Sequence, residues 1–541
     1  MLTDIRPGPD ASRYLLGFDL RRRPHLEADV LVVGGGVAGL CAAIAAADEG
    51  KEVLVLAKGS MTDSNTAWAQ GGVAVVLGND EREPLDNVEL HVRDTLAAGA
   101  GLCEEGVVRD ILGAAAESIE LLRKHGCLFD RSEQGALALT REGGHSARRI
   151  LHANGDSTGA EIVRSLAAAA AAHPRITVIE NAFAVDLLSD DESRIVGVIY
   201  HRREELVAAL AGSTILATGG CGRVWRESTN PPVATGDGLA MAYRAGAELA
   251  DLEFMQFHPT TLYIAGGARL LITEAMRGEG AVLKNHEGER FMPRYHPDAE
   301  LAPRDVVTRA IIAEIRRTGF PHVWLDATHL GAEFLRGRFP TIFQACAKLG
   351  IDITTAWMPV HPSAHYHCGG IITDQRGATS LGGLWASGEV ACTGLHGANR
   401  LASNSILEGL VMGMRSGIDA GRAGKPPGRV RISSPKPEPT PEGLDVPDLV
   451  RSLRALMWRQ VGIERTASEL AVARRSLAFW LSHQARGDFR DRSGWELQNQ
   501  LLVGSLVASS AERRTASVGT HTRSDSQGAV DPRHLGFVRK A

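Results

Sequence analysis

No run in the 541-residue chain approaches the ~20 consecutive apolar residues that a membrane-spanning helix needs. The N-terminus has no apolar core followed by a small-residue cleavage site, so no secretory leader is expected. Cysteine is sparse: seven residues, an odd number, and none in C-x-x-C spacing. That argues against a disulfide framework and against the usual zinc and iron–sulfur spacings, and it fits a reducing cytoplasm. Charge of one sign is lacking too. With 59 Lys+Arg against 64 Asp+Glu, the net charge of −5 offers no strong field for nucleic acid or an anionic membrane surface. There is no repeat at a period of 20–50 residues. His361, His365, His367 and His396 lie near one another in sequence without H-E-x-x-H or another fixed ligand spacing, so no metal site is expected.

Glycine is what the chain has in plenty: 60 residues, many of them in short motifs. Asp29–Val33 reads as a buried parallel strand and runs into Gly34-Gly35-Gly36-Val37-Ala38-Gly39. An alanine-rich helix over Leu40–Glu49, closed by Gly50, and a second apolar strand over Glu52–Ala57 complete a β-α-β unit. G-x-G-x-x-G between strand and helix is the fingerprint of a pyrophosphate held at a helix N-terminus. The second strand ends in Leu56-Ala57-Lys58, without the acid that holds the ribose of NAD, which argues against that ligand. Lys58 is expected on a phosphate or a ribose hydroxyl instead.

The chain is too long for one core. Residues 1–27 read as a polar N-terminal extension, with Arg21-Arg22-Arg23 and Pro24 as a solvated linker. Helical periodicity covers 86–125, and Ser213–Thr218 reads as a strand ending at Gly219-Gly220. From 255 to 365 the text turns mixed and rich in His, Pro and charge, which predicts an inserted domain. Strand-like text resumes at Gly369–Thr373 and Gly383–Gly388. The run from Lys425 to Pro441 holds six prolines and reads as a linker, within 425–446, before a helical region from 447.

Four further segments carry a resemblance: Ser64 to Gly72 (S-N-T-A-W-A-Q-G-G), Arg141 to Ser146 (R-E-G-G-H-S), Gln256 to Thr260 (Q-F-H-P-T), and His365 to Glu408. Together they resemble the succinate dehydrogenase and fumarate reductase flavoprotein superfamily, most of all its L-aspartate oxidase branch, from about residue 28 onward. The resemblance implies an α/β fold. A Rossmann-like FAD-binding domain, 28–254 and 366–424, would be interrupted by an α+β capping domain at 255–365 and followed by a C-terminal helical domain at 447–541. It also implies FAD-dependent oxidation of L-aspartate to iminoaspartate, with oxygen or fumarate as acceptor, as the first step of de novo NAD biosynthesis. Quinolinate synthase is the partner to which the product would pass.

By the same resemblance FAD would contact Gly34, Gly35, Gly36, Val37, Ala38, Gly39, Lys58, Asp237, Glu389, Ser405 and Ile406. The segment Asn65, Thr66, Ala67, Trp68, Ala69, Gln70, Gly71 and Gly72 would lie against it, the two glycines letting the backbone approach the ring. Asn65 stands where succinate dehydrogenases have the histidine that attaches FAD covalently, so the flavin is expected to be noncovalent. Ser405 and Glu408 have capping-box spacing, and the helix they open would point its positive end at the flavin. On the substrate side, His258, His365 and Arg400 would grip a dicarboxylate, with Arg304 close to the reacting carbons and Thr273 and Glu274 nearby. Arg304 would act as proton shuttle when fumarate is reduced. Glu142 would pair with the amine of aspartate, a group that succinate lacks. Met457-Trp458-Arg459, Arg465-Thr466 and Ser517–Asp525 are assigned to folding or assembly.

Three rivals compete with this reading. A fumarate reductase or succinate dehydrogenase flavoprotein subunit is opposed by Asn65 and Glu142. An RNA-acting flavoprotein is opposed by the acidic balance. A silent FAD-binding subunit would make the substrate residues coincidental.

Overall fold

The computed structural model describes residues 3–539 apart from 79–80, 265–266, 268, 425–429, 432, 438, 441–442 and 485. Its centre is a twisted sheet. Five strands run parallel in the order Ile176–Ile179, Val53–Leu56, His25–Val33, Glu205–Leu216 and Leu384–Ala386. The first half of Glu205–Leu216 also pairs antiparallel with Ile195–Arg202, which pairs in turn with Phe183–Ser189. The unbroken Val/Ile/Leu text of the inner strands is what two-sided burial demands.

The helix Val37–Asp48 follows the first strand and is buried on nearly every side. It starts three residues earlier than the periodicity suggests, because the chain turns at Gly36 rather than at Gly39. A Cβ on Gly39 would lie 2.0 Å from the Gly34 carbonyl oxygen, so only glycine allows this approach of helix to strand. A second long helix, Asn404–Ala423, crosses the first through glycines at four-residue spacing. A Cβ on Gly413 would lie 2.6 Å from the Ala38 carbonyl oxygen, and one on Gly417 would lie 2.3 Å from that of Ala42. Small residues on both faces bring the backbones together and aim two helix N-termini at one cleft.

A second, antiparallel sheet, Met255–Leu262, Met358–His367, Val323–Asp326 and Val282–Lys284, is backed by Arg304–Thr318 and has its own apolar core. Helices Val446–Gln460, Ala467–Phe479 and Arg492–Arg513 form the C-terminal layer.

Three expectations change. The described part of the expected N-terminal extension 1–27, residues 3–27, is not a polar extension. Thr3–Pro7 pairs parallel with His534–Val538, and Tyr14, Leu15, Leu16 and Phe18 are buried, since this apolar cluster finds a core of its own. The C-terminal region is not purely helical, because His534–Val538 is the strand that pairs with Leu249–Ala250 as well. The proline-rich run falls partly outside the described residues. Within it, Ser433–Ser434 pairs with Phe18–Asp19.

Asp186 bolts these parts together. It accepts from Arg244 Nε at 3.1 Å and from the Leu15 amide at 2.7 Å, while Arg244 Nη1 donates to Asn499 Oδ1 on the C-terminal helix at 2.6 Å. Asp186→Ala leaves a buried guanidinium without its carboxylate and is expected to cost about 3–5 kcal/mol in reversible denaturation. A loss below about 1 kcal/mol would show that the bolt contributes little.

Candidate active site

The long cleft at the C-terminal ends of the parallel strands is lined by Gly34, Gly35, Gly36, Val37 and Ala38 at one end and by Leu271, His365 and Tyr366 at the other. Lys58, Asn65, Thr66, Trp68, Ala69, Asp237, Glu389, Ser405 and Ile406 also line it. Of the residues expected around the cofactor, Gly39, Ala67, Gln70, Gly71 and Gly72 lie off this lining. Gly72 is small for another reason, because its Cβ would lie 2.2 Å from the Leu151 carbonyl oxygen. Gly71 faces Glu142 and Ser403, whose oxygens would be 3.5 and 3.6 Å from a Cβ there.

The lining fits a flavin dinucleotide. A Cβ on Gly36 would meet nothing closer than Thr66 Oγ1 at 3.3 Å, which leaves room in front of the helix N-terminus for a pyrophosphate. Asn65 Oδ1, Thr218 Oγ1, Asn230 Oδ1 and Ser387 Oγ are buried with no hydrogen-bond partner among the described residues, and all four residues line the cleft. Buried polar atoms of this kind call for a ligand. Asn65 Nδ2 donates to Glu389 Oε2 at 2.7 Å, and Glu389 Oε1 accepts from the His367 amide at 3.0 Å. Burial raises the Glu389 carboxyl above its usual range, against these donors.

Lys58 and Asp237 also have partners in the C-terminal layer. Lys58 Nζ sits 2.6 Å from Asp237 and 2.8 Å from Glu496, and the Asp237 oxygens also accept from Thr235 and Asn499. Both line the cleft, but their charges hold the C-terminal helix against it. The capping-box reading of Ser405 and Glu408 also falls. Ser403 precedes the helix and no side chain caps it, while Glu408 accepts from Thr393 at 2.6 Å, from Tyr366 at 3.1 Å and lies 2.9 Å from His396 Nε2. The helix end is thus uncapped and faces the cleft with its positive pole.

At the far end of the cleft, four elements converge. Met255–Leu262 carries Gln256 and His258, Met358–His367 carries His365 and Tyr366, and Arg304 opens the helix Arg304–Thr318. Arg400 comes from the loop before the helix Asn404–Ala423. Gln256 Oε1 accepts from Arg304 Nη1 at 3.1 Å and from Arg400 Nη2 at 3.2 Å, while its Nε2 donates to Asn399 Oδ1 and to the Arg400 carbonyl, each at 2.8 Å. Arg400 also lies 4.6 Å above the Tyr366 ring and donates to Ser405 Oγ at 3.1 Å. Burial and the neighbouring Arg304 push its guanidinium down to about 10. The His258 and His365 rings stand 5.0 Å apart. Burial, then Arg304, holds both well below the usual imidazole range, so both are neutral at pH 7. His258 Nδ1 accepts from the Thr260 amide at 3.3 Å, which leaves the proton on Nε2 as a donor.

Glu274 is held between two arginines. It accepts from Arg304 Nε at 2.5 Å and lies 3.2 Å from Arg277. Burial opposes its ionisation, but Arg304 and Arg277 overcome this and keep its carboxyl below the usual range. Thr273 caps its helix, accepting from the Ala275 amide at 3.4 Å. Glu142 is 2% exposed, with Oε2 accepting from Ser403 Oγ at 2.7 Å and Oε1 without a partner among the described residues. Burial and the charge of Glu274 raise its carboxyl, against Arg304 and Arg400.

Gln256, Arg277, Tyr366, Ser403 and Thr229, whose Oγ1 lies 2.8 Å from His365 Nδ1, were not anticipated from the sequence as site residues. Arg277 could have been found, as the i+3 partner of Glu274 on a short helix. His361 packs at 5.8 Å from Trp458, and among the described residues no group of His, Cys, Asp and Glu is arranged to hold a metal ion. No helix among them is long and apolar enough to cross a membrane.

Residues 29–406 match the FAD binding domain family, and residues 450–536 match the fumarate reductase flavoprotein C-terminal family. An L-aspartate oxidase of Streptomyces coelicolor is 45% identical, covering 92% of this chain and 89% of its own. One of Mycobacterium tuberculosis is 46% identical, covering 92% of each. Among solved structures, the quinol fumarate reductase of E. coli superposes with a TM-score of 0.85 at 32% identity, over 94% of this chain and 92% of its own. Sdh1 of Mycobacterium smegmatis does so at 0.80 and 33%, over 96% and 95%.

The noncovalent flavin is checked by acid precipitation, which should release all FAD into the supernatant. Glu389→Ala should purify with substoichiometric FAD. Flavin retained in the pellet would contradict the role given to Asn65.

Proposed function

We propose that this chain, which belongs to the L-aspartate oxidase family of FAD-binding flavoproteins, oxidises L-aspartate to iminoaspartate, with oxygen or fumarate as the electron acceptor. When bound, FAD would supply the two-electron acceptor, with oxygen as the oxidant that is reduced to hydrogen peroxide. The observation that carries the reading is Glu142: a buried carboxylate oxygen without a hydrogen-bond partner among the described residues, whereas the neighbouring carboxylate, Glu274, is held by Arg304 and Arg277.

Arg304 and Arg400 present guanidinium forks to two carboxylates, and Gln256 fixes the spacing between them. His258, neutral with its proton on Nε2, donates to a carboxylate without adding charge. Glu142 pairs with the α-ammonium, which fixes which face of Cα is offered for hydride removal. The second sheet closes the pocket over the cleft and keeps water from it. A second reading, a fumarate reductase or succinate dehydrogenase subunit, draws on Arg304, Glu274 and Arg277, which form a guanidinium–carboxylate chain suited to delivering a proton. That chain gives Arg304 its part when fumarate is the acceptor. As a first reading it leaves Glu142 unexplained. Iminoaspartate hydrolyses readily, so direct transfer to quinolinate synthase in the cytoplasm, at the entry to de novo NAD biosynthesis, completes the proposal.

Glu142→Gln is expected to lower kcat/KM for L-aspartate by about 30-fold or more, the loss of one buried charge pair. Fumarate reduction should fall far less, and equal losses would remove Glu142 from amine recognition. Arg304→Leu with FAD still bound should abolish fumarate reduction, and full retention would refute the assignment. Glu142 must be ionised to hold the ammonium and its carboxyl is raised, so kcat/KM for aspartate should fall with decreasing pH above the range of an ordinary glutamate. An acid limb at or below pH 4.5 would contradict this.

A further inference from the structure

We propose that Ser403, which no substrate carboxylate needs, is the positioning residue that presents the Glu142 carboxylate to the substrate amine and thereby sets the preference for an amino dicarboxylate. This rests on the reading of Glu142 given above.

Ser403 is buried and adopts φ 61° and ψ 2°, the left-handed region that a residue with a side chain enters at a cost of roughly 1–2 kcal/mol. If the chain needed only a turn before the flavin-facing helix, glycine would supply it without strain. The neighbours hold the strained geometry from both sides. Ala402 O accepts from His145 Nε2 at 2.9 Å, and Ser403 O accepts from the Ala74 amide at 3.1 Å. Asn404 is pinned by His91 Nε2 at 2.9 Å and donates to Thr95 Oγ1 at 3.1 Å. Backbone strain kept in place by surrounding contacts points to a constraint at the site.

That constraint is the hydroxyl. Ser403 Oγ donates to Glu142 Oε2 at 2.7 Å and leaves Oε1 as the oxygen without a partner, 3.5 Å from where a Gly71 Cβ would stand. The backbone on the other side of Glu142 is also fixed. Its carbonyl accepts from the His145 amide at 3.2 Å, and a Cβ on Gly143 would lie 2.3 Å from Glu274 Oε1. The charged groups facing Glu142 are Glu274, Arg304, Arg400 and Arg277, on the two elements packed against it and on the loop before Ser403. None of them bonds either Glu142 oxygen among the described residues, so Ser403 is the donor that chooses the oxygen offered to an ammonium. The same bond favours the ionised carboxylate and lowers the pH at which the pocket can accept an amine.

The test uses FAD-loaded Ser403→Gly and Ser403→Ala, each in the Glu142 and the Glu142→Gln backgrounds, assayed with L-aspartate and with fumarate across pH. Flavin absorbance confirms that cofactor is retained. Glycine relieves the strain and lacks the hydroxyl, so it separates the two roles. In the Glu142 background both variants should lose roughly tenfold or more in kcat/KM for aspartate, mainly in KM, with the acid limb moved to higher pH and a smaller effect on fumarate. In the Glu142→Gln background they should add little further loss, as coupled groups do. Wild-type aspartate use by Ser403→Gly would overturn the proposal and leave Ser403 a turn residue. Fully additive losses would overturn it as well. If Glu142→Gln itself leaves aspartate use intact, amine recognition by Glu142 fails first, and the inference falls with it.

Discussion

Two buried guanidinium groups, Arg304 and Arg400, donate to one amide oxygen, Gln256 Oε1. Like charges this close in a low-dielectric pocket repel one another, and the molecule keeps them together by tying down everything around them. Glu274 pairs with Arg304 and Arg277, the Tyr366 ring lies under Arg400, and Gln256 has every hydrogen-bonding group engaged. With His258 and His365 neutral, three guanidiniums face two carboxylates, Glu142 and Glu274. If both acids are ionised the pocket carries one excess positive charge, which matches aspartate with its two carboxylates and one ammonium. If Glu142 is protonated the excess is two, which matches fumarate or succinate. On the function proposed above, one proton on one carboxylate would decide which kind of dicarboxylate the pocket complements.

The fold serves this charge arrangement by bringing distant segments to one cleft. The glycine face of Asn404–Ala423 lets it cross Val37–Asp48 closely, so both helix N-termini open on one cleft. The loop entering the second helix carries Arg400 and Ser403. The C-terminal segment braces that loop from behind, because Thr520 Oγ1 donates to the Ala398 carbonyl at 3.0 Å and Arg309 Nη1 reaches the Gly519 carbonyl at 3.1 Å. The cleft, the loop that carries Arg400 and the C-terminal layer are therefore mechanically one unit.

Much of this was legible in the text of the chain. The strand, glycine turn and helix around Gly34–Gly39 follow from apolar runs and small residues, and the inserted sheet announces itself by a change of composition at 255. What stayed hidden were relations between segments far apart in sequence. Asn65 meets Glu389 and Lys58 meets Glu496 only after folding. That Lys58 and Asp237 also reach the C-terminal helix is invisible beforehand, because a lysine near a phosphate site and a lysine holding a helix look alike in sequence. Ser403 gives no signal at all, since nothing in a sequence marks a serine that will be held at positive φ. The apolar cluster Tyr14–Phe18 was readable but was passed over beside the polar text around it.

The charge-matching account is tested most directly by mixing the oxidised FAD enzyme with substrate in the absence of oxygen and following flavin absorbance. L-aspartate should bleach the flavin rapidly at neutral pH, while succinate, with the same two carboxylates and no amine, should bleach it far more slowly. Equal rates with both at neutral pH would mean that Glu142 does not discriminate, and that the balance of three guanidiniums against two carboxylates is not what selects the substrate.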